Sequence, residues 1–126
     1  MDFSKMKVLY EDNHLIAVSK PGGWLVQGDK TEDIPLSEYV KQYIKIRYNK
    51  PGDVFLGVIH RIDRPVSGVV IFARTTKGLT RLNDLFQSRE VQKVYWAITD
   101  NRPEPLSDHL THFLFKDKTR NVTKAY

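Results

Sequence analysis

The sequence predicts an α+β domain with a mixed, mostly antiparallel sheet flanked by helices. Three observations lead to this fold class. Short apolar runs rich in β-branched residues have the length of strands, whereas two other stretches repeat apolar residues at helical spacing. Prolines and glycines separate these segments from one another. The predicted order is strands, helix, strand, helix, strand and strand, which does not alternate as regularly as a doubly wound parallel sheet.

Two short strands are predicted near the start of the chain. Lys7–Tyr10 and Leu15–Val18 are apolar runs joined by the turn residues 11–13. Pro21 follows the second run and lacks a backbone donor, and the glycines after it allow the chain to turn. We therefore expect the second strand to stop near Lys20.

A first helix is predicted by apolar and aromatic side chains that recur every three or four positions. They are Leu36, Tyr39, Val40, Tyr43 and Ile44. Asp33 and Pro35 are suitable start signals, and Asn49–Gly52 would end the helix.

A strand and a second helix are predicted next. Val69–Ala73 is a continuous apolar run of the kind found in buried strands. Thr75 or Thr76 can cap the helix that follows it. The apolar face of this helix consists of Leu79, Leu82, Leu85 and Phe86.

Strands and a hairpin are predicted for the C-terminal part. Lys93–Thr99 and Leu106–Phe115 are both expected to be strands. Lys116–Asn121 is polar and is predicted to form a hairpin turn, with Val122–Tyr126 as the second arm.

Composition limits the classes of protein that this chain can belong to. A single domain over residues 1–126 is expected, because no repeat or Ser/Gly linker divides the chain. The absence of cysteine excludes disulfides, thiol nucleophiles and cysteine-based zinc sites. His109 and His112 lack an acidic partner at metal-ligand spacing, so no metal site is predicted. No apolar stretch approaches bilayer length, and we predict a cytoplasmic protein without a membrane partner.

The charge balance favours a polyanionic partner. The formal net charge is +5 at pH 7, which attracts phosphates by steering and counterion release. Many of the cations fall in one central stretch: Arg61, Arg64, Arg74, Lys77, Arg81, Arg89 and Lys93.

The segment His60–Gly68 carries the residues best suited to chemistry, and His60 is expected to serve this loop through hydrogen bonding. It places Asp63 between Arg61 and Arg64 in a loop that contains proline and glycine and precedes the buried strand. Two nearby cations would keep the Asp63 carboxylate ionised, as a nucleophile or a base requires. The local pattern alone favours a surface ion pair between Asp63 and one of these arginines.

This segment resembles a known family signature. His60–Arg74 reads HRIDRPVSGVVIFAR and is similar to the H-R-L-D-R-x-T-S-G-L-L-x-x-A-K signature of RluA-family pseudouridine synthases. Val8–Gly23 resembles the family's opening strand pair with its Lys-Pro-x-Gly turn. Leu85–Val91 resembles the end of the helix, and Lys93–Tyr95 the K-x-Y element of the next strand. The resemblance extends from Val8 to about Ile98.

The resemblance implies an RNA isomerase that acts on ribosomal or transfer RNA without a metal or organic cofactor. Asp63 would be the catalytic aspartate, and would either attack the ribose C1′ or remove a proton from C2′. Both routes stay open. Tyr95 would stack on the target base and take the C5 proton. Arg61 would enter the RNA stack when the uridine is flipped out, and Arg64 is assigned to RNA binding with it.

The chain also departs from the family pattern. Val66 stands where threonine is usual, and Ile62 where leucine is usual. The family's later T-G-R-x-H-Q-I-R-x-H motif does not occur in these residues. We therefore expect an incomplete pseudouridine-synthase-like fold, the N-terminal portion of a catalytic domain. Such a truncated form should be weakly active or inactive, and its unpaired sheet edge should favour self-association.

Two other functions compete with the enzyme. A non-catalytic RNA-binding module derived from the same fold would use the basic groove and Tyr95 but would not need the Asp63 carboxylate. A basic scaffold without an RNA role would show no salt-dependent RNA binding.

Overall fold

The computed structural model describes all of residues 1–126, in two compact units, Met1–Gln92 and Lys93–Tyr126. The single domain expected over 1–126 stays a prediction. The elements of the first unit are β1 (Lys7–Glu11), β2 (Leu15–Lys20), α1 (Leu36–Arg47), β3 (Gly57–Val58), β4 (Gly68–Ala73) and α2 (Thr76–Gln87). The second unit contains β5 (Leu114–Asp117) and β6 (Val122–Ala125). Neither helix is long and apolar enough to cross a membrane.

The first unit is built on one antiparallel sheet. Its strands lie in the order β1-β2-β4-β3, and every pair is antiparallel. Together with the two helices, this sheet confirms the predicted α+β class. The strands predicted at the start of the chain and after residue 68 are confirmed as β1, β2 and β4. The two-residue β3 was not predicted.

One face of this sheet carries the core. Ile16, Val18 and Lys20 are the buried residues of β2, because side chains alternate between the two faces of a strand. Ile16 lies opposite Phe72 of β4, and Val18 lies opposite Val70. The α1 residues in the same buried cluster are Leu36, Val40 and Ile44. Lys20, the last residue of β2, therefore lies on the face that the core covers.

The start of α1 is held by backbone hydrogen bonds. Pro35 is the N-cap residue and offers no side-chain cap. The N–H of Leu36 donates to the carbonyl of Leu25 at 2.7 Å, and that of Ser37 donates to Val26 at 3.0 Å. These bonds satisfy donors that a helix leaves unpaired at its N-terminus. They also fix the segment just before the helix.

The second helix begins as predicted. The Thr75 side chain accepts a hydrogen bond from the Gly78 N–H at 3.0 Å, which confirms this threonine as the cap of α2. Leu79 packs closely over the sheet, because a Cβ added to Gly57 would lie 2.9 Å from its Cδ1 atom. The same added atom would lie 3.2 Å from the Cβ of Ala73. A glycine in β3 is therefore what lets α2 approach this end of the sheet.

The prediction of a strand over Lys93–Thr99 is wrong. These residues form no strand, and large side chains such as Trp96 and Ile98 are almost fully exposed. The apolar pattern shows that a segment can pair, but a strand forms only where a partner completes its hydrogen-bonded ladder.

The predicted hairpin of the second unit is confirmed, although its first arm is much shorter than expected. The strand expected from Leu106 begins only at Leu114 and pairs with β6, so the prediction is wrong over residues 106–113. Asp117 accepts bonds from the Thr119 and Arg120 N–H groups and holds the turn.

Candidate active site

Asp63 lies on an exposed turn between β3 and β4. The Asp63 carbonyl accepts a hydrogen bond from the Val66 N–H at 3.0 Å and so closes the turn. Aspartate is favoured at the first position of such turns. Arg61, Asp63 and Arg64 are all exposed. Ile62 is half-buried and packs against the core. The inward Ile62 side chain therefore anchors the turn while the neighbouring polar side chains face solvent.

Lys20 ties this turn to the end of β2. Its side chain is fully buried, and its ammonium donates to three carbonyl oxygens. The acceptors are Trp24 at 2.7 Å, Arg64 at 3.0 Å and Pro21 at 3.1 Å. Burial lowers the pKa of Lys20, and the negative charge of Asp63 opposes that shift. Lys20 therefore supplies both a structural link and a positive charge close to Asp63.

Arg64 joins the same two segments from the other side. The Gly23 N–H donates to the Arg64 carbonyl at 2.8 Å, and the Arg64 Nε donates to the Gly23 carbonyl at 3.0 Å. The Arg64 Nη2 atom forms an ion pair with Asp33. A Cβ on Gly22 would lie only 3.1 Å from the Pro65 carbonyl oxygen. The Lys-Pro-Gly-Gly turn and the Asp63 turn are thus in direct contact.

These contacts change the interpretation of Arg64. The sequence allowed Asp63 to pair with a neighbouring arginine, but Arg64 forms its ion pair with Asp33 instead. The guanidinium of Arg64 is therefore held by protein groups in this structure. Its assignment to RNA binding stays a prediction, and RNA would have to compete with Asp33 for it.

His60 fixes the start of the loop to β4. Its Nε2 atom accepts a hydrogen bond from the Ile71 N–H at 3.0 Å, so that nitrogen carries no proton. The imidazole ring also lies 5.1 Å from the ring of Phe86 in α2. The prediction that His60 serves the loop through hydrogen bonding is confirmed.

Tyr95 belongs to the second unit. Its side chain is 63% exposed and stands in the segment that forms no strand. The role predicted for Tyr95 at the target base stays a prediction.

Two features of the site were missed by sequence reasoning. The burial of Lys20 could have been predicted, because residues 16, 18 and 20 share one face of an alternating strand. The contact of Asp33 with Arg64 could not, since the two residues stand 31 positions apart and Asp33 had the pattern of a helix start signal only. As for metals, no cluster of three or more His, Asp or Glu side chains in the chain could hold one.

These contacts place the Asp63 carboxylate on an exposed, firmly braced turn beside an antiparallel sheet. Residues 14–126 match the family model described as RNA pseudouridylate synthase. The chain belongs to this family, in agreement with its resemblance to RluA-type enzymes.

Individual relatives support the same assignment. The chain is 31% identical over 120 residues to ribosomal large subunit pseudouridine synthase C of Buchnera aphidicola, which covers 92% of this chain and 36% of that protein. It is 33% identical over 96 residues to tRNA pseudouridine synthase C of Pectobacterium carotovorum, covering 74% and 23%. The chain therefore spans about a third of these curated relatives, or less.

A solved structure supports the fold. Human RNA pseudouridylate synthase domain containing 4 superimposes with a TM-score of 0.56 at 23% identity, over 66% of this chain and 30% of that one. This likeness confirms the predicted pseudouridine-synthase-like fold.

Proposed function

We propose that this protein isomerises uridine to pseudouridine in ribosomal or transfer RNA, with Asp63 as the catalytic carboxylate. The observation that carries the proposal is the exposed turn of Asp63, braced by Lys20 and Arg64 within the family's signature segment. Relatives named for ribosomal RNA and for transfer RNA support both classes of substrate.

The chemistry needs an accessible carboxylate more than a closed pocket. The glycosidic bond of a stacked uridine is out of reach, so the nucleotide must be flipped out toward the protein. Asp63 then either attacks C1′ or removes the C2′ proton, and the N1–C1′ bond breaks. The uracil turns and a C5–C1′ bond forms. On the first route this displaces the Asp63 carboxylate from C1′, and on the second route Asp63 returns its proton to C2′. The C5 proton then leaves, and N1 gains a proton. The reaction is redox-neutral.

Arg61 and Tyr95 are assigned supporting roles. Arg61 is exposed on the same turn as Asp63, where its planar guanidinium can replace the stacking lost when the uridine leaves the helix. Tyr95 stacks on the flipped base and accepts the C5 proton. Arg64 binds RNA only after exchanging its contact with Asp33.

Tritium release from C5-labelled uridine in total cellular RNA tests the proposal. We expect weak release with the wild-type chain and the same release with Asp53→Asn, an exposed aspartate outside the site. Release should be abolished in Asp63→Asn, because the amide can neither attack C1′ nor accept the C2′ proton. Circular dichroism must show that all three are folded. Equal release from Asp63→Asn would contradict the assignment.

A non-catalytic RNA-binding module is the second candidate. It is favoured by the net charge of +5, which attracts RNA without any need for the Asp63 carboxylate. A folded wild-type chain that binds RNA and releases no tritium would support it.

Self-association and a cytoplasmic location belong to the same proposal. Apolar side chains of the second unit, among them Trp96, Ile98 and Phe113, are at least 85% exposed and could be covered by a second copy. Sedimentation over a range of protein concentrations measures this directly.

A further inference from the structure

The contact between Asp33 and Arg64 lies beside the candidate active site, and no role has been assigned to it. We propose that Asp33 is a positioning residue, which holds the Asp63 turn in its reactive geometry by acting through Arg64. The expected effect on catalysis rests on the proposed function. The expected effect on the position of the turn rests on the hydrogen bonds around Arg64.

The contacts of Arg64 largely determine the position of Asp63. Asp63 is exposed, so the residues on either side of it must set its direction. On one side Ile62 packs against the core. On the other side Arg64 is bound through its backbone and its side chain. Its carbonyl accepts from Lys20 at 3.0 Å and from Gly23 at 2.8 Å, and its Nε donates to the Gly23 carbonyl at 3.0 Å.

Asp33 provides the third attachment, on a separate part of the chain. It stands two residues before the N-cap of α1, and the first N–H groups of that helix are bonded to residues 25 and 26. The first residue of α1, Leu36, is fully buried in the core. The Asp33 carboxylate therefore stands close to a fixed helix start, and it contacts the far end of the Arg64 side chain.

Because this ion pair is exposed, its removal should change the geometry of the Asp63 turn without unfolding the protein. The Asp33 and Arg64 side chains are 58% and 43% exposed, and exposed ion pairs add little to global stability. Removal of the Asp33 charge should thus leave a folded protein. A small displacement of a reacting group still slows catalysis, because rate depends steeply on alignment.

An alternative role for Asp33 predicts the opposite kinetics. If Arg64 is mainly a phosphate ligand, Asp33 competes with RNA for the guanidinium. Loss of the carboxylate charge would then tighten RNA binding, lower KM and leave kcat unchanged.

Steady-state pseudouridine formation by Asp33→Asn distinguishes the two roles. We expect kcat to fall by roughly 10-fold to 100-fold with KM nearly unchanged, and Asp33→Glu to restore most of the loss. The control is Asp53→Asn, which removes the same charge from an exposed aspartate away from Arg64. A fall in KM at constant kcat, or kinetics equal to those of Asp53→Asn, overturns the proposal.

Amide hydrogen exchange gives a second readout that does not depend on activity. The Gly23 N–H is bonded to the Arg64 carbonyl, and the Val66 N–H to the Asp63 carbonyl. Both amides should exchange about 10-fold faster in Asp33→Asn through local opening, whereas amides of β2 should not change. Unchanged exchange at both sites also overturns the proposal. If the wild type forms no pseudouridine, the proposed function fails in this chain, and exchange still decides whether Asp33 holds the turn.

Discussion

At the scale of single residues, Lys20 shows how a buried charge can organise a loop. A lysine is rarely fully buried unless its ammonium is well bonded, and here three backbone carbonyls accept from it. Two of these carbonyls belong to the Lys-Pro-Gly-Gly turn and its neighbour Trp24, and the third belongs to the Asp63 turn. One side chain therefore bonds two loops that lie far apart in sequence.

Replacement of Lys20 by methionine should destabilise the protein. Methionine fills a similar volume but leaves the carbonyls of Pro21, Trp24 and Arg64 without their shared donor. The unfolding free energy should fall by roughly 1–3 kcal/mol, as is usual when buried polar groups lose a partner. Urea denaturation measures the loss, and Lys7→Met on the exposed side of β1 is the control. Equal stability of the two variants would show that water replaces the ammonium without cost.

The sequence predicted some residues of the site and not others, for physical reasons. His60 and Thr75 act on groups close to them in the fold, and their residue types suit those bonds. The partner of Arg64 could not be predicted, because an arginine can bond to any carboxylate that tertiary folding brings near it. Local pattern favoured neighbouring Asp63, and the fold supplied Asp33.

At the scale of elements, α2 and the turn between β1 and β2 are packed unusually closely. The His14 carbonyl accepts from the Arg74 N–H at 2.7 Å, and the His14 ring contacts the Thr75 hydroxyl at 2.7 Å. A Cβ on Gly78 would lie 2.6 Å from the His14 carbonyl oxygen. Because that oxygen belongs to the backbone, the turn or the helix would have to move to make room.

Gly78→Ala should therefore destabilise the first unit, although alanine is the better helix former. The gain in helix propensity is about 1 kcal/mol, and the forced displacement should cost about 1–3 kcal/mol more than that gain. Thermal unfolding measures the net loss, with Thr80→Ala on the exposed side of α2 as the control. A melting temperature at or above that of the wild type would mean that the helix shifts freely on the turn.

Elements with complete local signals were predicted well, and those that depend on a partner were not. The two helices have apolar periodicity and start signals of their own, and both form within a few residues of the predicted bounds. β3 has only two residues and no detectable pattern, so its pairing with β4 is a tertiary property. Lys93–Thr99 has the pattern of a strand without the hydrogen-bonded neighbour.

At the scale of the whole molecule, net charge and the position of charge make separate contributions to RNA binding. A net charge of +5 attracts any polyanion, and this attraction weakens as salt rises. This electrostatic attraction cannot distinguish an RNA enzyme from a basic scaffold. A comparison of two variants with the same net charge can distinguish them, because the variants differ only in the position of the missing cation.

Arg61→Gln and Arg81→Gln make such a pair, since each removes one exposed arginine, the first from the Asp63 turn and the second from α2. If Arg61 replaces the stacking of a flipped uridine, its loss should cost about 1–3 kcal/mol of RNA affinity beyond the shared loss of charge. Fluorescence anisotropy with a folded transfer RNA at several salt concentrations measures both terms. Equal affinity losses would mean that Arg61 contributes to RNA binding only through its charge. An affinity that does not change with salt would contradict phosphate binding altogether and favour the scaffold.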